Sequence, residues 1–116
     1  MPDKPPTARA QARAALIEEI KDAARRQIAT DGAASLSIRR IARELGLAPS
    51  GTYRYFASRD NLLTALILDG YAALGAVSEE ADQACSREDL LGRLHAVADA
   101  IRNWATEQPN EWALLY

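Results

Sequence analysis

Residues 41–56 read IARELGLAPSGTYRYF, and this stretch decides how the chain folds. Its apolar residues recur at helical spacing up to Gly46, a residue type that adopts the positive φ with which helices commonly end. Pro49 suits the first turn of a new helix, which is expected to run to about residue 56. Ala42 has no bulk, so the two short helices can cross closely. The stretch therefore predicts a helix-turn-helix, an arrangement whose second helix enters the major groove of DNA.

A longer helix is predicted upstream of this turn, over residues 8–30. Its apolar residues recur every fourth position and form one buried stripe, made of Leu16, Ile20, Ala24 and Ile28. Gly32 is expected to end this helix, and Ser37 has the hydroxyl and the position to cap the next one. Residues 1–7 contain three prolines and little that is apolar, so a flexible arm is expected there.

Three further helices are predicted downstream. Ser58 is expected to cap a long fourth helix that continues to about residue 84. The inner side of that helix is predicted to carry Leu62, Leu63, Leu66, Ile67, Tyr71 and Leu74. Ser86 is expected to open a fifth helix with Glu88 and Asp89 in its positive first turn. Its apolar positions are Leu90, Leu94, Val97, Ile101 and Trp104.

Pro109 breaks the fifth helix, and the segment NEWALLY at residues 110–116 begins a sixth. No strand pattern of more than a few residues occurs, so the predicted fold class is all-α, with a three-helix helix-turn-helix head joined to a long connecting helix.

The charge of the chain is divided unevenly between its halves. Residues 1–60 hold 11 Lys/Arg and 7 Asp/Glu, a net charge of +4, whereas residues 61–116 hold 3 and 9, a net charge of −6. This asymmetry indicates a basic working end on an acidic body. No apolar run approaches the roughly 20 residues that a membrane span needs, and the N-terminus lacks the apolar middle of a secretory signal. A cytoplasmic protein without a membrane segment is therefore expected.

Catalysis is not expected from this sequence. It offers no Ser/His/Asp arrangement, no phosphate-binding loop and no paired carboxylates on a predicted pocket. His95 is the only histidine and Cys85 the only cysteine, so neither a metal site, another cofactor nor an intramolecular disulfide is predicted.

Residues 41–63, IARELGLAPSGTYRYFASRDNLL, resemble the tetracycline-repressor (TetR) family of bacterial transcription regulators. The turn glycine, the Tyr-x-Tyr-Phe motif and Ser-Arg-x-x-Leu all agree in spacing, and the resemblance covers about residues 12–70. It implies a DNA-binding head over residues 8–57, behind the arm at 1–7. It also implies that residues 58–116 begin a helical ligand-binding and dimerisation domain.

The resemblance implies a role in DNA contact for a set of residues between the second and fourth helices. The groups implied to contact the backbone are Ser37, Arg39, Arg40, Tyr53, Tyr55 and Arg59. The positions implied to lie nearest the bases are Pro49, Ser50 and Gly51. For Arg54 both roles stay open, because arginine binds phosphate and also reads guanine.

Two residues depart from the family pattern. Ala48 replaces the usual capping serine or threonine, and Thr52 stands where leucine normally packs. The residues nearest the bases offer few hydrogen-bonding groups, so specificity is expected from Arg54, from DNA shape, or from the N-terminal region. That region brings Lys4, Arg9 and Arg13, either as a minor-groove arm or as a disordered tail.

For the acidic half, the resemblance implies an effector site and a dimer. The candidates for an apolar ligand pocket are Tyr71, His95, Trp104, Trp112 and Tyr116, with packing in a core or interface as the alternative for each. Family members are usually longer and dimerise through their last helices. The homodimer contacts are therefore expected from helices beyond Tyr116, and the sequence is expected to be part of a longer protein.

These features together predict a ligand-responsive transcriptional regulator, most often a repressor, that binds a palindromic double-stranded DNA operator as a homodimer. Two alternatives stay open: a DNA-binding activator, and a helical protein-interaction module without DNA binding. The salt dependence of DNA binding distinguishes the protein-interaction module from the two DNA-binding readings. A protein that neutralises DNA phosphates releases counterions, so its affinity falls as the salt concentration rises.

Overall fold

The structure is a computed structural model that describes residues 7–116, so all of the expected arm except Thr7 lies outside the described residues. Its elements are α1 (Ala8–Asp31), a 3-10 turn (Ala33–Ser35), α2 (Ile38–Glu44), α3 (Pro49–Tyr53), α4 (Arg59–Gln83), α5 (Leu90–Glu107) and α6 (Pro109–Leu115). No strand occurs between residues 7 and 116, which confirms the all-α prediction. The contacts group into two compact units, Met1–Leu63 and Thr64–Tyr116.

The core of the first unit is formed by the buried faces of α1 and α2. The buried residues of α1 are Ile20, Ala23, Ala24 and Gln27, and those of α2 are Ile38, Ile41 and Ala42. The spacing on α1 is that of one helical face, as predicted, although Leu16 and Ile28 at its ends are only half-buried. Alanines on both helices allow the backbones to approach, because they add no bulk at the contact.

Gln27 ties α1 to the start of α2, a contact that sequence reasoning missed. Its side-chain Oε1 accepts a hydrogen bond from the backbone N–H of Ser37 at 3.1 Å, and its Nε2 donates to the Ser37 carbonyl at 3.5 Å. Gln27 is only 4% exposed, so this pairing satisfies an amide that would otherwise be costly to bury. A polar residue within the apolar stripe of α1 was the signal available in the sequence.

The turn between α2 and α3 has the geometry that the sequence predicts. Gly46 has φ +70°, and the N–H of Leu47 donates to the Ala42 carbonyl at 2.7 Å. The N–H of Gly46 donates to the Arg43 carbonyl at 3.3 Å. These two bonds are a Schellman motif, which satisfies the last carbonyls of a helix and requires a left-handed residue after it.

The third helix is shorter than expected, because its regular part ends at Tyr53 rather than near residue 56. Hydrogen bonds from Tyr55 and Phe56 to the Thr52 carbonyl, at 3.0 and 3.1 Å, continue it as a turn. Ala48 is the N-cap of α3, and its methyl side chain cannot accept a hydrogen bond, so this helix has no side-chain cap. Thr52 is fully buried, and its hydroxyl has no hydrogen-bond partner.

Replacing Thr52 by valine should raise the free energy of unfolding by about 1–3 kcal/mol, because the unpaired buried hydroxyl is removed at nearly constant volume. Chemical denaturation of the two proteins measures the difference. The matched control is Thr30→Val, whose exposed hydroxyl donates to the Arg26 carbonyl at 3.0 Å and should change stability by less than about 0.5 kcal/mol. If both substitutions changed the free energy of unfolding by the same amount, the unpaired Thr52 hydroxyl would not be the cause.

In the second unit, three predictions of inward-facing residues are wrong. Tyr71 is 45% exposed, and Leu90 and Leu94 are 70% and 63% exposed, whereas Leu74 and Trp104 are buried as predicted. Helical periodicity identifies an apolar face but does not specify what covers it. Within residues 64–116 no helix packs over Leu90 and Leu94.

The helix α4 has the predicted bounds, but its composition differs from expectation. Its 25 residues include a window of mean hydropathy 1.4, so by these criteria alone it is long and apolar enough to cross a membrane. The prediction that no segment has this property was therefore wrong. Long core helices of soluble helical proteins pass the same test, and α4 carries the buried Leu62, Leu66 and Leu74. Length and hydropathy alone therefore do not assign α4 to a membrane.

The fifth helix begins later than predicted. Its N-cap is Asp89, whose Oδ1 accepts a hydrogen bond from the N–H of Gly92 at 3.0 Å. Ser86, the predicted start, instead donates its hydroxyl to Glu88 at 2.8 Å, and this bond lowers the pKa of the Glu88 carboxyl. The carboxylate of an aspartate accepts from a free helix N–H as well as a serine hydroxyl does, and here Asp89 is closer to the apolar run.

Asp82, near the end of α4, holds the α4–α5 connection. Its carboxylate accepts from Arg93 Nε at 2.7 Å and from Arg87 Nη1 at 2.8 Å. Hydrogen bonds from Arg93 and then Arg87 lower the pKa of Asp82 from its usual 3.8 to about 2. The connection therefore depends on an ionised carboxylate.

This lowered pKa predicts an acid-dependent contribution to stability. The contribution of Asp82 should be complete above pH 3.8 and should disappear as the pH falls through about 2, because the folded protein holds this carboxylate ionised longer than the unfolded chain does. The difference in unfolding free energy between the wild type and Asp82→Asn, measured by denaturation from pH 7 to 2, should shrink across that window. The control is Asp99→Asn, which makes the same charge change on α5 at a carboxylate that has no ion pair with any described residue. Its difference in unfolding free energy from the wild type should not shrink across that pH window.

Candidate nucleic-acid interface

The start of α2 presents the first of the predicted contact groups. Ser37 is the N-cap of α2, and its Oγ accepts the N–H of Arg40 at 3.2 Å. Its own O–H is still available as a donor to an anion. Gln27 fixes its backbone, so the hydroxyl is held in place at the surface of the first unit.

The three arginines around α2 differ in how they are already engaged. Arg39 is exposed and forms no ion pair with any residue of the described chain. Arg40 pairs with Asp31 through an Nη1–Oδ2 distance of 2.5 Å. Arg59, at the start of α4, donates from Nη2 to the Ala33 carbonyl at 3.0 Å. Its guanidinium therefore helps to hold the 3-10 turn, a structural task that the sequence did not indicate.

Small side chains form the exposed start of α3. Pro49 and Ser50 are exposed and Gly51 is half-buried. A backbone with so little side-chain bulk can approach another molecule closely. Hydrogen-bonding side chains that could read bases are scarce here, and the source of specificity stays a prediction.

The residues that follow α3 combine aromatic rings with positive charge. Tyr53 is 42% exposed and Arg54 is exposed, whereas Phe56 is buried in the core. The half-buried ring of Tyr55 lies beneath the guanidinium of Arg13, whose carbon is 5.5 Å from the ring centroid. The structure thus brings part of α1 next to the end of α3, and the sequence carried no signal for this pairing.

The residues predicted for a ligand pocket fall into separate places of the second unit. Trp104 lines an open depression of about 380 Å³ between α4 and α5. Tyr71, Trp112 and Tyr116 form an aromatic cluster, with the Tyr116 centroid 6.3 Å from Tyr71 and 4.5 Å from Trp112. His95 is exposed. Ligand contact by these five residues therefore stays a prediction, and no single cavity collects them within residues 64–116.

The helix-turn-helix region is shared with a known family. Residues 20–66, from α1 into α4, match the family model described as bacterial regulatory proteins of the tetR family. This match includes the Schellman turn, the capped start of α2, and the whole of α3. The chain therefore belongs to the TetR family of transcriptional regulators, whose members bind DNA through a helix-turn-helix.

Several individual proteins are similar over most of this chain. The HTH-type transcriptional regulators Rv1816 of Mycobacterium tuberculosis (strain H37Rv) and Mb1846 of Mycobacterium bovis are each 42% identical to it over 108 residues. The crystal structure of a regulatory protein designated SCO4313 is 37% identical, with a TM-score of 0.84 over 94% of this chain and 51% of that one. The alignment covers 93% of this chain but 46% of each mycobacterial relative, so the chain spans about half their length.

The Arg40–Asp31 pair predicts a gain of DNA affinity. Asp31→Asn should release Arg40 and raise affinity for duplex DNA by about two- to fivefold, the worth of a surface ion pair. Titration of a fluorescent duplex measures the change. Asp22→Asn is the control, because Asp22 pairs with Arg25 on the same helix through a 2.9 Å contact. An equal gain from both variants would show that general charge, and not Arg40, is responsible.

Proposed function

We propose that the full-length protein is a ligand-responsive transcriptional repressor that binds a palindromic operator as a homodimer, with residues 37–59 of each copy on the DNA. The observation that carries this proposal is the helix-turn-helix itself. Its turn is closed by a Schellman motif at Gly46, and its first helix is held at Ser37 by Gln27. A head fixed in this way can present α3 to a major groove without further ordering.

The distribution of charge supports DNA as the partner. The first 60 residues carry a net charge of +4, and exposed groups around α2 and α3 include Arg39, Tyr53 and Arg54. Arginine, tyrosine and serine groups are those that commonly bind backbone phosphates. In this proposal Pro49, Ser50 and Gly51 lie nearest the bases, because they form the exposed start of α3.

The proposal assigns residues 8–57 to DNA binding and residues 58–116 to the start of a ligand-binding and dimerisation domain in the cytoplasm. The second unit exposes large apolar side chains, among them Leu68, Leu90 and Leu91 at 64–70% exposure. Exposed large apolar side chains often mark protein-interaction surfaces, so these side chains are proposed to pack against protein. The homodimer and a complete effector pocket are then contributed by further helices of the longer protein.

Selection from a random duplex library, with the full-length protein, tests the proposal. The expected result is an enriched inverted repeat whose binding weakens steeply as salt rises, since each neutralised phosphate adds about 0.9 to the slope of log affinity against log salt. No enrichment and a flat salt dependence would overturn it in favour of a protein-interaction module. A reporter gene behind the selected site distinguishes repression from activation.

Tyr53→Phe tests the interface at one atom. Loss of the hydroxyl should weaken binding to the selected duplex and to a scrambled duplex by the same factor, about five- to tenfold, because a phosphate contact carries no sequence information. Tyr116→Phe is the control, as it removes a hydroxyl in the second unit. A loss confined to the selected duplex would place Tyr53 on a base instead.

A further inference from the structure

An arginine-lined depression lies where α1 meets the residues after α3. Its volume is about 570 Å³, and it is lined by Arg9, Ala12, Arg13, Leu16, Arg54 and Tyr55. Three arginines from two separate parts of the chain thus line one depression, and no acidic residue is found among the described residues that line it. We refer to this depression as the arginine pocket.

The surroundings of the arginine pocket differ from those of Arg26 and Arg40 in the same unit. Arg26 pairs with Glu44 at 2.8 Å and Arg40 pairs with Asp31, whereas no described carboxylate pairs with the pocket's three arginines. Arg9 and Arg13 are separated by one helical turn, and like charges at this spacing destabilise a helix. An anion in the pocket would offset this repulsion.

Tyr55 orients one of the three charges. The Arg13 guanidinium lies over its ring at 5.5 Å from the centroid, a cation–π contact that restricts the side chain before any ligand arrives. A planar guanidinium donates paired hydrogen bonds that match two oxygens of a phosphate. Leu16 and Ala12 line the rest of the pocket and offer no competing hydrogen-bonding side chain.

We propose that the arginine pocket binds one phosphate of the DNA backbone, with Arg9 and Arg13 of α1 acting together with Arg54. This inference rests on the proposed DNA-binding function. Backbone DNA is preferred to a free phosphate compound because Arg54 and Tyr55 directly follow α3, the helix proposed to lie at the major groove. The pocket is therefore at the edge of the surface that meets the duplex.

This assignment changes the role expected for two residues. Sequence reasoning placed Arg9 and Arg13 with a flexible arm that reads the minor groove, or with a disordered tail. Both residues lie instead in the first two turns of α1, which Thr7 caps through a 3.1 Å hydrogen bond from the Ala10 N–H. A helix anchored in this way holds the two charges at a fixed position, which favours a phosphate contact over base reading.

The test uses the full-length double variant Arg9→Gln, Arg13→Gln, since glutamine keeps helix propensity and side-chain length. Affinity is measured by fluorescence anisotropy at several salt concentrations, on the selected duplex and on a scrambled duplex. We expect about a tenfold loss on both duplexes and a salt slope smaller by about 1, as for the loss of one phosphate contact. The control Arg102→Gln removes a charge from the second unit without touching the Asp82 cluster and should leave the slope unchanged.

Distinct outcomes would overturn the proposal. If the wild type binds DNA and the double variant binds it with the same affinity, the phosphate contact is rejected. The proposed DNA-binding function would still stand. A loss on the selected duplex alone would assign the arginines to bases. If wild-type protein binds neither duplex, the proposed function itself fails. If calorimetry shows inorganic phosphate binding to the wild type and not to the variant, with DNA affinity unchanged, the pocket serves a free phosphate compound.

A second pair of variants separates binding from folding. Arg13→Lys keeps the charge but not the paired donors, so it should recover part of the affinity lost in Arg13→Gln. Tyr55→Leu is compared with Tyr55→Phe, which loses the same hydroxyl but keeps the ring that orients Arg13. Relative to Tyr55→Phe, the leucine variant should weaken both duplexes by about threefold, an effect that should be absent when Arg13 is already glutamine. Circular dichroism spectra that match the wild type establish that α1 still folds. Additive losses from Tyr55 and Arg13 would contradict the proposed orientation.

Discussion

The position of α2, and of the turn that follows it, depends on the pairing of Gln27 with the backbone of Ser37. One buried amide satisfies both the N–H and the carbonyl of the residue that begins α2. Without it, α1 and α2 would still share an apolar contact, but such contacts are not directional and do not fix where a helix starts. Hydrogen bonding of a buried amide is directional, so it sets the position from which Arg39 and the turn at Gly46 are presented.

The second constraint is the turn itself. Gly46 takes a positive φ, and the two Schellman bonds satisfy carbonyls that a helix end would otherwise leave unpaired. The direction of α3 follows from this turn and from the buried side chains on either side of it. Thr52 is the weak point of that core, because its hydroxyl is buried without a partner. The direction of α3 is thus set by a rigid turn, while the core beneath it contains one buried hydroxyl without a described partner.

The two units use charge differently. In the first unit, some basic side chains are paired with carboxylates, as Arg26 is with Glu44, and others, such as Arg39 and Arg54, are exposed around α2 and α3. In the second, Asp82 collects Arg87 and Arg93 to hold a connection between helices. The net charge of −2 therefore says little about function, because it averages a basic first half and an acidic second half.

The sequence by itself determined the local structure. Helix spacing, Ser37 and Ser58 as caps, Gly32 and Gly46 as helix ends, and the all-α class follow from interactions between residues close in the chain. Only the tertiary structure decided which apolar faces are covered and which charges meet. Leu90 is exposed although its spacing is that of a core residue, and Arg13 lies on Tyr55 across more than 40 residues. Such contacts depend on how helices pack, and periodicity carries no information about a helix's partner.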